Sequence, residues 1–143
     1  MTIKQISIFL ENKPDSLSKL TKVLADKKIN IRALALADTS DFGIARIIVD
    51  DCDGVAKYLN ENDFIAKVTG VIAIEITDEA GSLNNILTIL AENGRNIEYM
   101  YGFTGRKTNK ACMIIRCTDV PSTEKVLEER GIKMISQGEI ENL

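Results

Sequence analysis

Ile6, Ile8 and Leu10 alternate with other side chains along residues 3–10, and Ile72, Ile74 and Ile76 repeat the pattern. A period of two marks a strand with one buried face. Each strand runs into a polar break, Glu11-Asn12-Lys13-Pro14-Asp15-Ser16 in one case and Thr77-Asp78-Glu79-Ala80-Gly81-Ser82 in the other. The period then changes. Leu17, Leu20 and Leu24 recur at helical spacing, as do Leu83, Ile86, Leu87 and Leu90. Pro14, Asp15 and Ser16 suit a helix N-terminus; Asn93-Gly94 suits a left-handed stop, with Lys27-Lys28 in the matching place.

Further strands are expected at 30–37 and 43–49, then at 96–103 and 110–117, joined by polar turns at 38–42 and 104–109. Val55, Tyr58 and Leu59 form the apolar edge of another helix, answered by Thr123, Val126 and Leu127. Closing strands read at 64–68 and 132–137, and the tail beyond Gly138 reads as a loose end. The order β-α-β-β-α-β therefore occurs twice. It is the split-βαβ, ferredoxin-like arrangement of class α+β, an antiparallel sheet with both helices on one face. Leu24-Ala25-Asp26 matches Leu90-Ala91-Glu92, and Asn30-Ile31 matches Asn96-Ile97, so the register holds throughout. Two domains are expected, 1–69 and 70–143, with only Thr69-Gly70 between them. Units of about 70 residues bury only about 60% of their unfolded surface, so the copies are expected to pack together.

Composition narrows the function. The 143 residues carry a net charge of −3 and show no Lys/Arg cluster, which argues against nucleic acid. No apolar run approaches the roughly 20 residues of a membrane span, and the N-terminus does not read as a signal peptide. Cys52, Cys112 and Cys117 show no CxxC spacing, which suits a reduced, cytoplasmic protein. Histidine is absent, removing the commonest general base and transition-metal ligand. No metal, cofactor or catalytic residue is expected; the chain reads as a binder rather than an enzyme.

The two breaks, with Ile29-Asn30-Ile31 and Gly94-Arg95-Asn96-Ile97 downstream, resemble the ACT domain family of amino-acid-binding regulatory modules. That family carries an Asn or Asp and then Pro-Gly-x-Leu at a helix start. Copy one has Asn12-Lys13-Pro14-Asp15-Ser16-Leu17, with Asp15 in the glycine position. Copy two has Asp78-Glu79-Ala80-Gly81-Ser82-Leu83, with Ala80 in the proline position. The resemblance implies a free amino acid or similar small ligand, a homo-oligomer such as a dimer, and a metabolic enzyme as a possible partner. Its ligand is expected at the seam where the loop after the first strand of one copy meets the second strand of the other.

Physics supports a ligand at these breaks. A helix start presents unpaired N–H groups and about half a positive charge, so it accepts a carboxylate without a basic side chain. N–H groups around Asp15, Ser16 and Leu17, or near Gly81, Ser82 and Leu83, are the candidates for the carboxylate, and Asn12 and Asp78 would take an ammonium or a polar ligand side chain. Gly81 permits closer approach than Asp15, so unequal sites are expected. The bland alternative is a simple helix cap, worth roughly 1 kcal/mol.

Tyr99, Tyr101 and Phe103 share one face of a strand where copy one has Ala33, Ala35 and Ala37. Core packing, an open-face covering or dimer contact, and a ligand pocket lined by Tyr101 all fit this stripe. Cys112 and Cys117 lie on opposite faces of their strand and cannot pair. The competing function is a ligand-free interaction or oligomerisation module of the same fold. An enzyme lacks a convergent acid–base pair here, and an RNA platform lacks basic neighbours for its aromatics.

Overall fold

The alternating N-terminal segment forms β1 (Ile3–Glu11), and the leucine stripe after it forms α1 (Ser16–Asp26). These come from a computed structural model that describes residues 2–38, 40–104 and 109–142, the side chains of Asp38, Phe103 and Thr104 apart. Most of the turn expected at 104–109, and Thr39 in the other turn, lie outside the described residues. The chain continues through β2 (Ala33–Asp38), β3 (Phe42–Ile48), α2 (Cys52–Glu61) and β4 (Ile65–Thr77). The second copy adds α3 (Ser82–Glu92), β5 (Ile97–Thr104), β6 (Lys110–Cys117), α4 (Val120–Glu129), β7 (Met134–Ile135) and α5 (Gln137–Glu141).

Two compact units result, Lys4–Thr69 and Gly70–Leu143, with the residues up to Ile3 grouped with the latter. The strand order is β2-β3-β1-β4 in the first and β5-β6-β4-β7 in the second. This is the ferredoxin-like order expected for each copy. β4 runs 13 residues without interruption, so Thr69-Gly70 lies inside a strand and not in a joint.

Each unit has its own core on its helix-covered sheet face. In the first, Ile6, Ile8 and Leu10 pack with Ala45 and Ile47 of β3, Leu20 and Leu24 of α1, and Leu59 of α2. In the second, Ile72 and Ile74 pack with Ile115 and Cys117 of β6, Ile86 and Leu90 of α3, and Leu127 of α4. The period-two stripe of a strand thus meets the helical stripe that follows it, which is the stable solution for two elements each apolar on one side.

The repeat extends to backbone detail. The N–H of Ile29 donates to Leu24 O (2.9 Å) and that of Arg95 to Leu90 O (2.8 Å), so α1 and α3 end in the same way. The residue that turns each helix off is left-handed, with φ 56° at Lys28 and 66° at Gly94. Only the second copy uses the residue that adopts this conformation without steric cost.

Several elements differ from the sequence expectation. The strand expected at 30–37 begins at Ala33, because Ile29 and Ile31 reach the core from irregular backbone. β5 carries a bulge between Ile97 and Tyr99, which lets Ile97 and Met100 both face the core. The closing strand expected at 132–137 shrinks to Met134–Ile135 because Ser136 ends it by capping a helix. That helix, α5, replaces the expected loose end: Ser136 and Glu139 form a reciprocal capping box, and Ile140 is fully buried.

All three cysteines are buried and free, and the two on β6 face opposite ways. Cys117 joins the helix-side core, whereas Cys112 stands across from Glu75 on the other sheet face. Burial, with a smaller contribution from the Glu75 carboxylate, pushes the Cys112 thiol up to about 12.

Three outcomes test this description. Lys28→Gly should raise stability by about 1 kcal/mol in urea denaturation, since it relieves a left-handed L-residue. Ile140→Ala should cost about 2–5 kcal/mol, the range for emptying a buried aliphatic site; a loose tail would show no change. The Cys112 thiol is neutral in the folded state until about pH 12 but titrates near its ordinary 9.0 when unfolded. Its raised pKa therefore favours folding below pH 9, and this contribution is lost as pH climbs from 9 towards 12. Denaturation curves should fall less steeply over that window in Cys112→Ala than in the parent.

Candidate functional site

The residues singled out in the two breaks form one turn, built twice. The N–H of Asn12 donates to Asp41 O (3.0 Å), and that of Asp78 to Asn109 O (2.8 Å), tying each strand end to the neighbouring hairpin. Lys13 N–H donates back to Glu11 O (3.0 Å), as Glu79 N–H does to Thr77 O (2.9 Å). Ser16 N–H reaches Lys13 O (3.2 Å), and Ser82 N–H reaches Glu79 O (3.3 Å). The first intrahelical bonds follow, Lys19 N–H to Asp15 O and Asn85 N–H to Gly81 O, both 3.0 Å. Pro14 and Ala80 occupy the exposed crest of the turn, while the Leu17 side chain packs on the first core.

These two helix starts differ from the others. Asp51 caps α2 by accepting from Gly54 N–H (3.0 Å), Asp119 caps α4 by accepting from Ser122 N–H (3.2 Å), and Ser136 caps α5. Among the described residues, neither Asp15 at the start of α1 nor Gly81 at the start of α3 provides a side-chain cap. The N–H groups of the second and third helical residues, Leu17 and Ser18 or Leu83 and Asn84, stand where such a cap would bond.

The reason for the missing cap differs between copies. Gly81 has no side chain, sits at φ 91°, and leaves open space where a Cβ would stand. Asp15 has φ −101° and turns its carboxylate to Lys19 Nζ (2.9 Å). Its hydrogen bond to Lys19 holds that carboxyl below the usual value.

Tyr99 and Tyr101 are half-buried and pair with Arg116 and Ile114 on the sheet face away from the helices; Met100, between them, faces the core. Core packing as a role for these tyrosines gives way to the open-face placement. The Phe103 side chain lies outside the described residues. Among the described residues, no group of three or more Asp, Glu, Cys or His side chains is placed to hold a metal, and no helix is long and apolar enough to cross a membrane.

The motif did not point to a groove of about 660 Å³ in the first unit, beginning at Ser16 and running past the end of β1. Its strand side is apolar: Phe9, Phe42 and Ile65 are 51%, 58% and 67% exposed, and Phe64 lies beside them. Its helix side carries Lys13, Lys19 and Lys22. One signal was visible in the sequence, since Phe9 interrupts the polar face of β1 where the second copy has Glu75.

The profile of the ACT domain pair matches residues 1–143. The crystal structure of protein BT0572 from Bacteroides thetaiotaomicron is similar over 100% of this chain and 98% of that one, at 38% identity and a TM-score of 0.92. The regulatory subunit of aspartate kinase from Thermus thermophilus, in its ligand-free form, shares the fold at 14% identity and a TM-score of 0.60, over 88% of this chain and 91% of its own. Its counterpart from Thermus flavus does so at 17% identity and a TM-score of 0.58, over 87% and 88%. No curated protein sequence gives a significant match. With the double βαββαβ order and the two repeated turns, this establishes that the chain belongs to the ACT domain family, as an ACT domain pair.

Proposed function

We propose that the chain is a regulatory module that binds a free amino acid at its repeated helix starts and has no catalysis of its own. The observation that carries this reading is selective capping. Among the described residues, three helices bond a first-turn N–H to the side chain of their N-cap residue, and the two at the family motif do not. An α-carboxylate seated there would gain charge-assisted hydrogen bonds and the favourable end of the helix dipole, typically 0.3–1 kcal/mol and up to about 2 kcal/mol when partly buried. Asn12 and Asp78, at the strand ends, supply polar oxygens for the ammonium. Gly81 leaves its site more open than Asp15 does, so the second copy takes the carboxylate more readily.

Family membership supports the amino acid as ligand, and the fold shared with chains named as regulatory subunits supports the regulatory role. Binding would shift an equilibrium between conformations by the ligand's differential affinity for them, which a partner enzyme or second subunit would read. A ligand-free interaction module is favoured by a separate observation. Leu34 and Leu36 are 43% and 52% exposed on β2, the outer strand of its unit.

A thermal-shift screen of the standard amino acids should find at least one that raises Tm, because a ligand at 100 times its Kd adds about 2.7 kcal/mol. Asn84→Pro removes one N–H within the first helical turn, before the intrahelical bonds begin. It should weaken that ligand at least tenfold and leave the ligand-free Tm within a few degrees. No shift with any amino acid, together with self-association lost in Leu36→Lys, would select the interaction module instead.

A further inference from the structure

We infer that the first copy is specific for a small aromatic carboxylate, whose ring lies in the groove that runs past the end of β1. This inference rests on the ligand-binding reading of the first helix start and names the ligand's class. Three of the five exposed large apolar side chains among the described residues, Phe9, Phe42 and Ile65, line this one groove. They come from three strands, β1, β3 and β4, and Phe64 adds a third ring. Scattered exposed apolar residues need no explanation, whereas several gathered on one concave surface mark a binding site. The volume of about 660 Å³ falls within the roughly 300–1,000 Å³ of small-molecule pockets.

The two sides of the groove are chemically distinct, and the division matches an amphipathic anion. Phe9, Phe42 and Ile65, on the sheet face away from α1, form the strand side, while three ammonium groups stand round the end of β1 on the helix and its loop. Two carboxylates, Glu11 and Asp63, also line it, so the cations predominate. The lysines are held by exposed partners: Lys13 by Glu11 at 3.4 Å, Lys19 by Asp15 and Lys22 by Asp26, both at 2.9 Å. Exposed pairs of this kind contribute little, so an incoming carboxylate competes with them at small cost.

The repeat supplies a control within the molecule. Strand pairing matches Leu10 opposite Gly43 with Ile76 opposite Ala111, which sets Phe42 against Lys110 and Phe9 against Glu75. The turn bonds Phe64 to Leu59 and Ile132 to Leu127 set Ile65 against Lys133. All three exposed apolar positions of the groove are therefore charged in the second copy, where Lys133 stands 3.8 Å from Glu75. The same backbone accepts either chemistry, so the fold does not require the apolar set.

The test is isothermal titration of the full chain with L-phenylalanine, its deaminated analogue 3-phenylpropanoate, and L-serine. Phe9→Glu/Ile65→Lys transplants the second copy's pair onto exposed positions, and Phe42→Lys is an independent single change. Phenylalanine should bind at least tenfold more tightly than serine, and both variants should lose at least tenfold for phenylalanine with an unchanged far-ultraviolet spectrum. If 3-phenylpropanoate binds as well as phenylalanine and responds to the variants, the aromatic groove stands and the amino-acid reading falls. If phenylalanine binds equally to parent and variants, or serine alone binds, the groove proposal is overturned and the amino-acid reading survives. If none of the three binds, the groove proposal is overturned.

Discussion

Everything in each unit follows from one constraint: a sheet apolar on one face must be covered on that face and no other. Ile6, Ile8 and Leu10 place their side chains on one side of β1, and the chain must bring Leu20 and Leu24 over them within a few residues. The helix has to start almost where the strand stops. Its first N–H groups therefore emerge at a fixed place beside the strand end, held by a turn whose four backbone hydrogen bonds recur in the second copy. The candidate site is thus a by-product of core geometry, and it needs few special side chains because the donors are backbone.

That dependence explains how differently the two copies are furnished. Core positions keep their chemistry between copies, Leu20 against Ile86 and Leu24 against Leu90, because burial penalises any change. Around the helix starts nothing comparable holds the residues. Asp15 corresponds to Gly81, Phe9 to Glu75, and Ala35 to Tyr101, while the turn beneath them stays the same. One scaffold thereby carries two surfaces of different chemistry, which suits a pair whose members answer to different ligands or partners.

Most of the fold was legible in the sequence because its signals are periodic. The strand at 110–117 matches β6 end to end, and the paired leucine stripes locate α1 and α3. The failures were at places where no period operates. Ile29 and Ile31 reach the core from irregular backbone after α1, a bulge at Glu98 shifts the face of β5, and Ser136 converts an expected strand into the cap of α5. The turn residues were legible as a motif, from Asn12 to Leu17 and from Asp78 to Leu83. Their lack of side-chain caps was not legible, since Asp15 is a good capping residue by type and is drawn off by Lys19. The groove was hidden for a simpler reason: Phe9, Phe42 and Ile65 lie far apart in sequence and meet only when three strands align.

The central claim is that backbone N–H groups at the two repeated helix starts hold the ligand. Amide chemical shifts of the ¹⁵N-labelled full chain, followed while an amino acid that raises Tm is added, address it residue by residue. The account predicts the largest shifts at Leu17 and Ser18 or at Leu83 and Asn84, with the capped starts of α2 and α4 unmoved. Saturable binding whose shifts cluster at Gly54 and Ser122, or that leaves all four of those amides in place, would contradict it.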